Sequence, residues 1–264
     1  VQFEVAMDLD LKGKTALVTG SYRGTGLIIA QTLIEEGVNT LVHGLKAPQA
    51  EKAVTELGGG IAITADITTQ EGCEELVELA NEHSLDIIVN NYGTADPNSW
   101  KEGGSGPWFG AYEKNVLSAQ RITQGLMPAL LKKKWGRVIN LGTTGSTKPS
   151  RKNPAYYSAK GALVAMTVSL AGELANTGVT ANIVSPGLIL TPEVKQQLVD
   201  QSAKKKEKAT WEDIEARVAK DIPIGRIVRR EEVANIIAFL CSPKADAIHG
   251  QNIKVDGGAL GIVS

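Results

Sequence analysis

Cysteine, histidine and long apolar runs are scarce in this chain, and each scarcity removes a class of function. Two cysteines, Cys73 and Cys241, lie far apart in 264 residues and form no CxxC pair. A disulfide framework is therefore not expected, and a reducing, cytoplasmic compartment is. Three histidines (His43, His83, His249) are scattered without metal-ligand spacing, so no metal site is expected. No stretch approaches the roughly 20 apolar residues that span a bilayer. The N-terminal "VQFEVAMDLDLKGK" has neither the basic nor the apolar region of a signal peptide, and Met7 offers a natural start that makes residues 1–6 an extension. Charge of one sign is lacking too. A net charge of -1 provides no general reason to bind nucleic acid or an anionic membrane. The basic run "KKKEK" at 204–208 reads as a solvated helix face.

What the chain does contain is an alternation. Short β-branched runs, "TALVT" (15–19), "TLVH" (40–43), "IAIT" (61–64), "DIIVN" (86–90), "RVINL" (137–141), "TANIVS" (180–185) and "NIKV" (252–255), are bounded by turn formers. Amphipathic stretches at 25–36, 70–82, 109–133, 155–176 and 230–241 lie between them. Strands this apolar, separated by helices, imply a parallel sheet covered on both faces. Right-handed crossovers then predict an α/β fold: one doubly wound, Rossmann-type parallel sheet of about seven strands in one continuous domain. Between "SPG" (185–187) and "PIGR" (223–226) the rhythm lapses into charged, helical composition with no strand. Ligands bind beyond the carboxyl ends of such strands, so the segment at about 187–223 reads as a helical lid over a substrate pocket, or else as a surface excursion.

Two local patterns carry chemistry. In "TALVTGSYRGTGLIIAQTL", Gly20, Gly24 and Gly26 fall between the first strand and a helix. Missing side chains let backbone N–H groups approach a pyrophosphate, and the helix turns its positive end toward the anion. In "NPAYYSAKGA" (153–162), Tyr156 and Lys160 stand four apart on one helical face, while Tyr157 has Gly161 at that offset. An ammonium near a phenol favours phenolate and predicts a lowered pKa, useful for acid–base work.

With these motifs the chain resembles the short-chain dehydrogenase/reductases in their short, simple oxidoreductase form. The resemblance rests on "TGSYRGTG" (19–26), "DIT" (66–68), "NNYG" (90–93), Asn115, "INLGT" (139–143), "YYSAK" (156–160), "SPGLILT" (185–191) and "VDGG" (255–258), in that order. It implies hydride transfer between a nicotinamide cofactor and a ketone or secondary alcohol. Tyr156 would be the general acid or base. Lys160 would hold the nicotinamide ribose and depress the Tyr156 pKa, with Asn115 supporting a water chain to Lys160. Around the cofactor it places Tyr22, Arg23 and Thr25 with the three glycines. His43 and Gly44 would stand at the second strand, and Asp66 and Ile67 by the adenine. Asn90 would lie by the adenosine ribose and Thr191 would meet the carboxamide, with Tyr92, Gly93, Pro186, Gly187 and Ile189 also at the cofactor. The long helices at 109–133 and 155–176 resemble those of the family's subunit interface, which implies a homotetramer, and the apolar C-terminal "GGALGIVS" suits burial against a neighbour.

The pattern departs from the family at two places. Thr143 stands where a carbonyl-polarising serine is usual; it keeps the hydroxyl but adds a methyl, and Thr144 or Ser146 are substitutes. Tyr92 replaces the small residue of "NNAG". No Asp or Glu occurs from Leu41 to Gln49, where an acid repels a 2′-phosphate, and Arg23, His43 and Lys46 are cation-capable. NADP(H) is thus expected over NAD(H). Two alternatives stay open. One is a regulatory nucleotide-binding protein, which would be expected to lose Tyr156 or Lys160. The other is a 3-oxoacyl-carrier-protein reductase rather than an enzyme of small or cyclic ketones.

Overall fold

The computed structural model describes residues 7–101, 103–205 and 208–262. The expected extension at residues 1–6 lies outside them, as do Val263 and Ser264 of the C-terminal stretch. Seven parallel strands form the main sheet: β1 (Thr15–Val18), β2 (Asn39–Gly44), β3 (Ile61–Thr64), β4 (Ile87–Asn90), β5 (Gly136–Leu141), β6 (Val179–Pro186) and β9 (Asn252–Val255). Their spatial order is β3-β2-β1-β4-β5-β6-β9. Chain order reverses between β1 and β4, the switch point beyond which such sheets bind ligands.

The period-two alternation of each strand feeds two cores. Val18, Val42, Val89 and Val184 face helices α1 (Gly24–Glu35), α2 (Ala47–Leu57) and α9 (Arg230–Cys241). Leu17, Leu41, Ile88 and Val138 face α3 (Gln70–Asn81), α5 (Ser118–Lys133) and the end of α6 (Pro154–Glu173). Full burial of each such side chain stabilises the fold by roughly 1.5–3 kcal/mol, and the two-faced burial explains why the runs lack polar positions.

Three expectations need correction. The stretch 109–133 is not one regular helix. It comprises α4 (Gly106–Tyr112), a π-helical turn at Glu113–Leu117 and then α5. A π-turn is a single-turn insertion inside an otherwise helical stretch, so helical composition continues through it and the sequence does not mark it. Helix α2 stands between β2 and β3, where the stretches predicted above include no helix. The stretch 187–223 does contain a strand: β7 (Ile189–Leu190) pairs in parallel with β8 (Val228–Arg229), too short to leave a pattern. The rest of this stretch holds α7 (Pro192–Lys204) and α8 (Trp211–Val218), each capped by a threonine, Thr191 and Thr210. Of "KKKEK", Lys204 ends α7, and residues 206–207 lie outside the described residues.

Candidate active site

The glycine loop joins β1 to α1 and is held from below by a histidine. Gly20, with φ +63°, donates its N–H to Nδ1 of His43 at 2.9 Å. The other ring nitrogen, Nε2, faces the carbonyl of Ala65 at 3.0 Å. Nδ1 must accept, so Nε2 carries the proton and the ring is neutral. Burial pushes the His43 pKa down to about 4, against smaller raising effects of the Ala65 carbonyl and Asp66. The expectation that His43 serves as a cation for a phosphate is therefore corrected: it is a neutral, fully buried pin beneath the loop. Gly44 is equally buried, and a Cβ there would meet the Ala50 nitrogen at 2.9 Å, so the backbone excludes an acid at that point.

Above the loop lies a cleft of about 430 Å³. Gly20, Gly24 and Gly26 line it with Tyr22, Arg23 and Thr25, and Tyr92 and Gly93 close the opposite wall. A Cβ on Gly26 would fall under 3.0 Å from the Asn91 side chain and the Gly20 carbonyl. The cradle therefore exists only because side chains are missing, as backbone approach to a diphosphate requires. Arg23 lies 5.2 Å from the Tyr22 ring. The Tyr92 phenol is pushed up to about 12 by burial first and by Asp66 next, so it stays protonated.

Sequence reasoning missed five residues of this cleft: Leu45, Asn91, Thr94, Leu141 and Glu193. Asn91 was legible as the second residue of "NNYG"; its Nδ2 donates to the Thr19 carbonyl at 2.8 Å. Glu193, two residues beyond the cap of α7, comes from the helical stretch 187–223 and brings a carboxylate near Arg23, one of several influences that lower its pKa after its own backbone and Thr191. No sequence spacing could place it there. Two expected residues contribute differently. The Ile67 side chain is wholly buried in the core. Asn90 is drawn inward, its Nδ2 donating to Thr123 Oγ1 and Asn140 Oδ1, both at 2.9 Å. Asn140 in turn donates to Thr167 at 2.8 Å, so a buried amide chain ties β4 and β5 to α6 under the site. Asp66 is turned to Thr68, whose N–H and hydroxyl it accepts. At the far end Gly187 donates to the Val255 carbonyl at 3.0 Å, and Thr191 caps α7 through the Val194 N–H at 3.2 Å. Pro186 ends β6 and Ile189 begins β7, so both flank that corner.

Tyr156 and Lys160 lie in the first half of α6, and Thr143 heads the short 3-10 turn Thr144–Ser146 after β5. The Tyr156 phenol is pushed up to about 12 by burial, then by Tyr157, while a hydrogen bond with Thr143 pulls it back. This reverses the expected lowering by lysine. The reason is geometric: the Lys160 ammonium donates to the Leu141 carbonyl at 2.7 Å. Its own pKa falls to about 8 through burial. Asn115 sits in the π-turn, where its Nδ2 donates to the carbonyls of Thr94 and Ala111. Its Oδ1 is buried with no partner. A Cβ on Gly93 would stand 2.5 Å from that oxygen and 3.1 Å from Lys160 Nζ, so both groups converge on one small space. Asn98 adds a clasp from the β4–α4 loop: its Oδ1 accepts the Ala155 N–H at 3.1 Å, and its carbonyl accepts the Asn153 N–H at 3.2 Å.

A neutral phenol paired with a hydroxyl donor, beside an anion cradle, can protonate and polarise a carbonyl oxygen. Among the described residues no group of acidic, cysteine and histidine side chains could hold a metal ion, and no helix is long and apolar enough to cross a membrane.

Known proteins match this arrangement along nearly the whole chain. The family described as enoyl-(acyl carrier protein) reductase matches residues 20–259. An uncharacterized oxidoreductase of Bacillus subtilis is 36% identical over 262 residues, covering 96% of this chain and 98% of the relative. D-beta-hydroxybutyrate dehydrogenase of Cupriavidus necator is 35% identical over 254 residues, covering 94% and 98%. Among solved structures, L-sorbose reductase of Gluconobacter frateurii, complexed with NADPH and L-sorbose, superposes with a TM-score of 0.91 at 30% identity, covering 97% of this chain and all of that one.

Proposed function

The chain belongs to the short-chain dehydrogenase/reductase family of oxidoreductases acting on CH–OH and C=O groups, and on that premise we propose that it interconverts a small ketone and its secondary alcohol with NADP(H), Tyr156 serving as acid or base. The observation that carries this reading is the convergence of Lys160 Nζ, one helical turn along α6 from the buried Tyr156 phenol, and the unpartnered Asn115 Oδ1 at Gly93, a residue of the glycine-cradle cleft. When bound, the nicotinamide supplies or accepts the hydride. In the reducing direction Thr143 donates a hydrogen bond to the carbonyl oxygen, and Tyr156 delivers the proton that turns it into a hydroxyl. Lys160 Nζ and the unpartnered Oδ1 of Asn115 face one small space, and a water passing there would reprotonate the phenol. The residues fit the cofactor: the glycine cradle would hold a diphosphate against open backbone, and Thr94, whose buried Oγ1 has no partner, lines the same cleft.

The choice of NADP(H) rests on Arg23, which lines the cleft, on exposed Lys46 beyond it, and on the space at Gly44 that admits no acid. The NADPH held by L-sorbose reductase supports it. The retained tyrosine and lysine argue against a purely regulatory protein. We place this single-domain enzyme in the cytoplasm as a homotetramer.

A panel of small ketones and hydroxylated ketones, followed by nicotinamide absorbance with each cofactor, tests the reading. At least one substrate should turn over with higher kcat/KM for NADPH, and Arg23→Ala should raise KM for NADPH far more than for NADH. A higher kcat/KM with NADH overturns the cofactor choice; no turnover across the panel counts against the ketone reading.

A further inference from the structure

The second tyrosine of the pair is not idle. Tyr157 is half-buried, and its ring lies edge-on to Tyr156 with centroids 5.3 Å apart at 61°. On its other side it covers Gly145. A Cβ built on Gly145 would fall under 3.0 Å from both Cδ1 and Cε1 of Tyr157, so the ring occupies the very space a side chain at 145 would take. Gly145 is not a bystander: its N–H donates to Thr143 Oγ1 at 3.2 Å. The turn is tightened further by Ser146, whose N–H and hydroxyl both donate to the Thr143 carbonyl, at 3.0 and 2.7 Å. A chain of contacts thus runs from the Tyr157 ring through the Gly145 backbone to the Thr143 hydroxyl, while the same ring lies edge-on against Tyr156.

We propose that Tyr157 is a positioning residue whose ring, seated on Gly145, sets where the Thr143 hydroxyl stands relative to Tyr156. The inference rests on the role assigned above to Tyr156 and Thr143, but its mechanical part does not. Three features define it. The contact uses the ring and not the phenolic hydroxyl. It acts on the turn that carries Thr143 and not on the cofactor cleft, which neither Gly145 nor Tyr157 lines. It is also a size exchange: glycine at 145 is required because an aromatic ring stands at 157. Close-packed neighbours of this kind couple energetically by roughly 0.5–3 kcal/mol.

Four variants test it: Tyr157→Phe, Tyr157→Ala, Gly145→Ala and the double Gly145→Ala/Tyr157→Ala. Each is read by urea midpoint, by NADPH affinity from cofactor fluorescence, by kcat and KM with the best ketone of the panel, and by NMR of Cζ-labelled tyrosine at neutral pH. The Tyr156 resonance is assigned by its loss in Tyr156→Phe. Tyr157→Phe should match the parent in all four. Tyr157→Ala and Gly145→Ala should each shift the Tyr156 resonance and lower kcat about tenfold, with NADPH affinity unchanged; the double variant should regain most of either loss, the coupling expected of touching residues. A double variant whose losses simply multiply, or a Tyr157→Phe as damaged as Tyr157→Ala, overturns the proposal. If instead Tyr156→Phe keeps full turnover, the catalytic assignment fails. The resonance and urea measurements still decide whether the ring positions the turn.

Discussion

Burial, more than charge pairing, sets the protonation state of the reactive groups. With its pKa near 12, Tyr156 is a neutral phenol throughout the physiological range, ready to donate a proton and poor at accepting one. Ketone reduction should accordingly hold its rate through neutral pH, whereas alcohol oxidation should climb steadily with alkalinity, because only phenolate can accept the hydroxyl proton. Lys160, near 8, loses its charge at the start of that climb. Tyr156→Phe should cut turnover by roughly a hundredfold to ten-thousandfold, the usual contribution of a positioned acid, with cofactor binding retained. The check is a pair of pH–rate profiles, one per direction. An oxidation rate that peaks near neutrality would contradict the assignment.

Among elements, the glycine loop depends most on a single side chain. Its anchor, His43, is neutral in the fold with a pKa near 4, against an ordinary 6.5. The folded value is the lower one, so the unfolded chain binds the proton first on acidification. The stability that neutral His43 contributes is complete above pH 6.5 and is lost as pH falls toward 4. At about 1.4 kcal/mol per unit the loss amounts to about 3 kcal/mol. Urea midpoints of the parent should therefore drop across this window, with NADPH affinity weakening in parallel as Gly20 loses its acceptor. His43→Gln should be less stable at pH 7 yet flatter between 6.5 and 4. If both proteins show the same slope, the acid sensitivity lies elsewhere.

At the scale of the whole molecule, some of the exposed apolar side chains lie on the helices that bear on the proposed assembly. Phe109 and Tyr112 on α4 and Val168 on α6 are exposed, as is Ile262 near the C-terminus. Helices α4 and α6 pack on each other. Exposed apolar side chains on such a helix pair suit the proposed homotetramer, because association would remove them from water. Light scattering at micromolar concentration should report four chains per particle, and Val168→Glu should reduce that number. A particle of one chain's mass in the parent would refute the assembly.

The sequence by itself determined the alternation of strands and helices and the order of the motifs, and it singled out Tyr156 over Tyr157 as the candidate acid, because period-two burial, glycine placement and four-residue helical spacing are local properties. It also located Thr143 and Asn115 along the chain. Only the tertiary structure decided their electrostatics. Lys160 is four residues from Tyr156, yet its ammonium bonds the Leu141 carbonyl on another element, so the lysine does not lower the phenol pKa and burial raises it. His43 looked like a cation at a strand end until the carbonyl of Ala65 and the N–H of Gly20 claimed both ring nitrogens. Glu193 in the cleft and the Tyr157 ring on Gly145 likewise come from segments far apart in sequence or turned by a loop. Protonation and positioning depend on which groups surround a side chain in three dimensions, and spacing along the chain does not encode that.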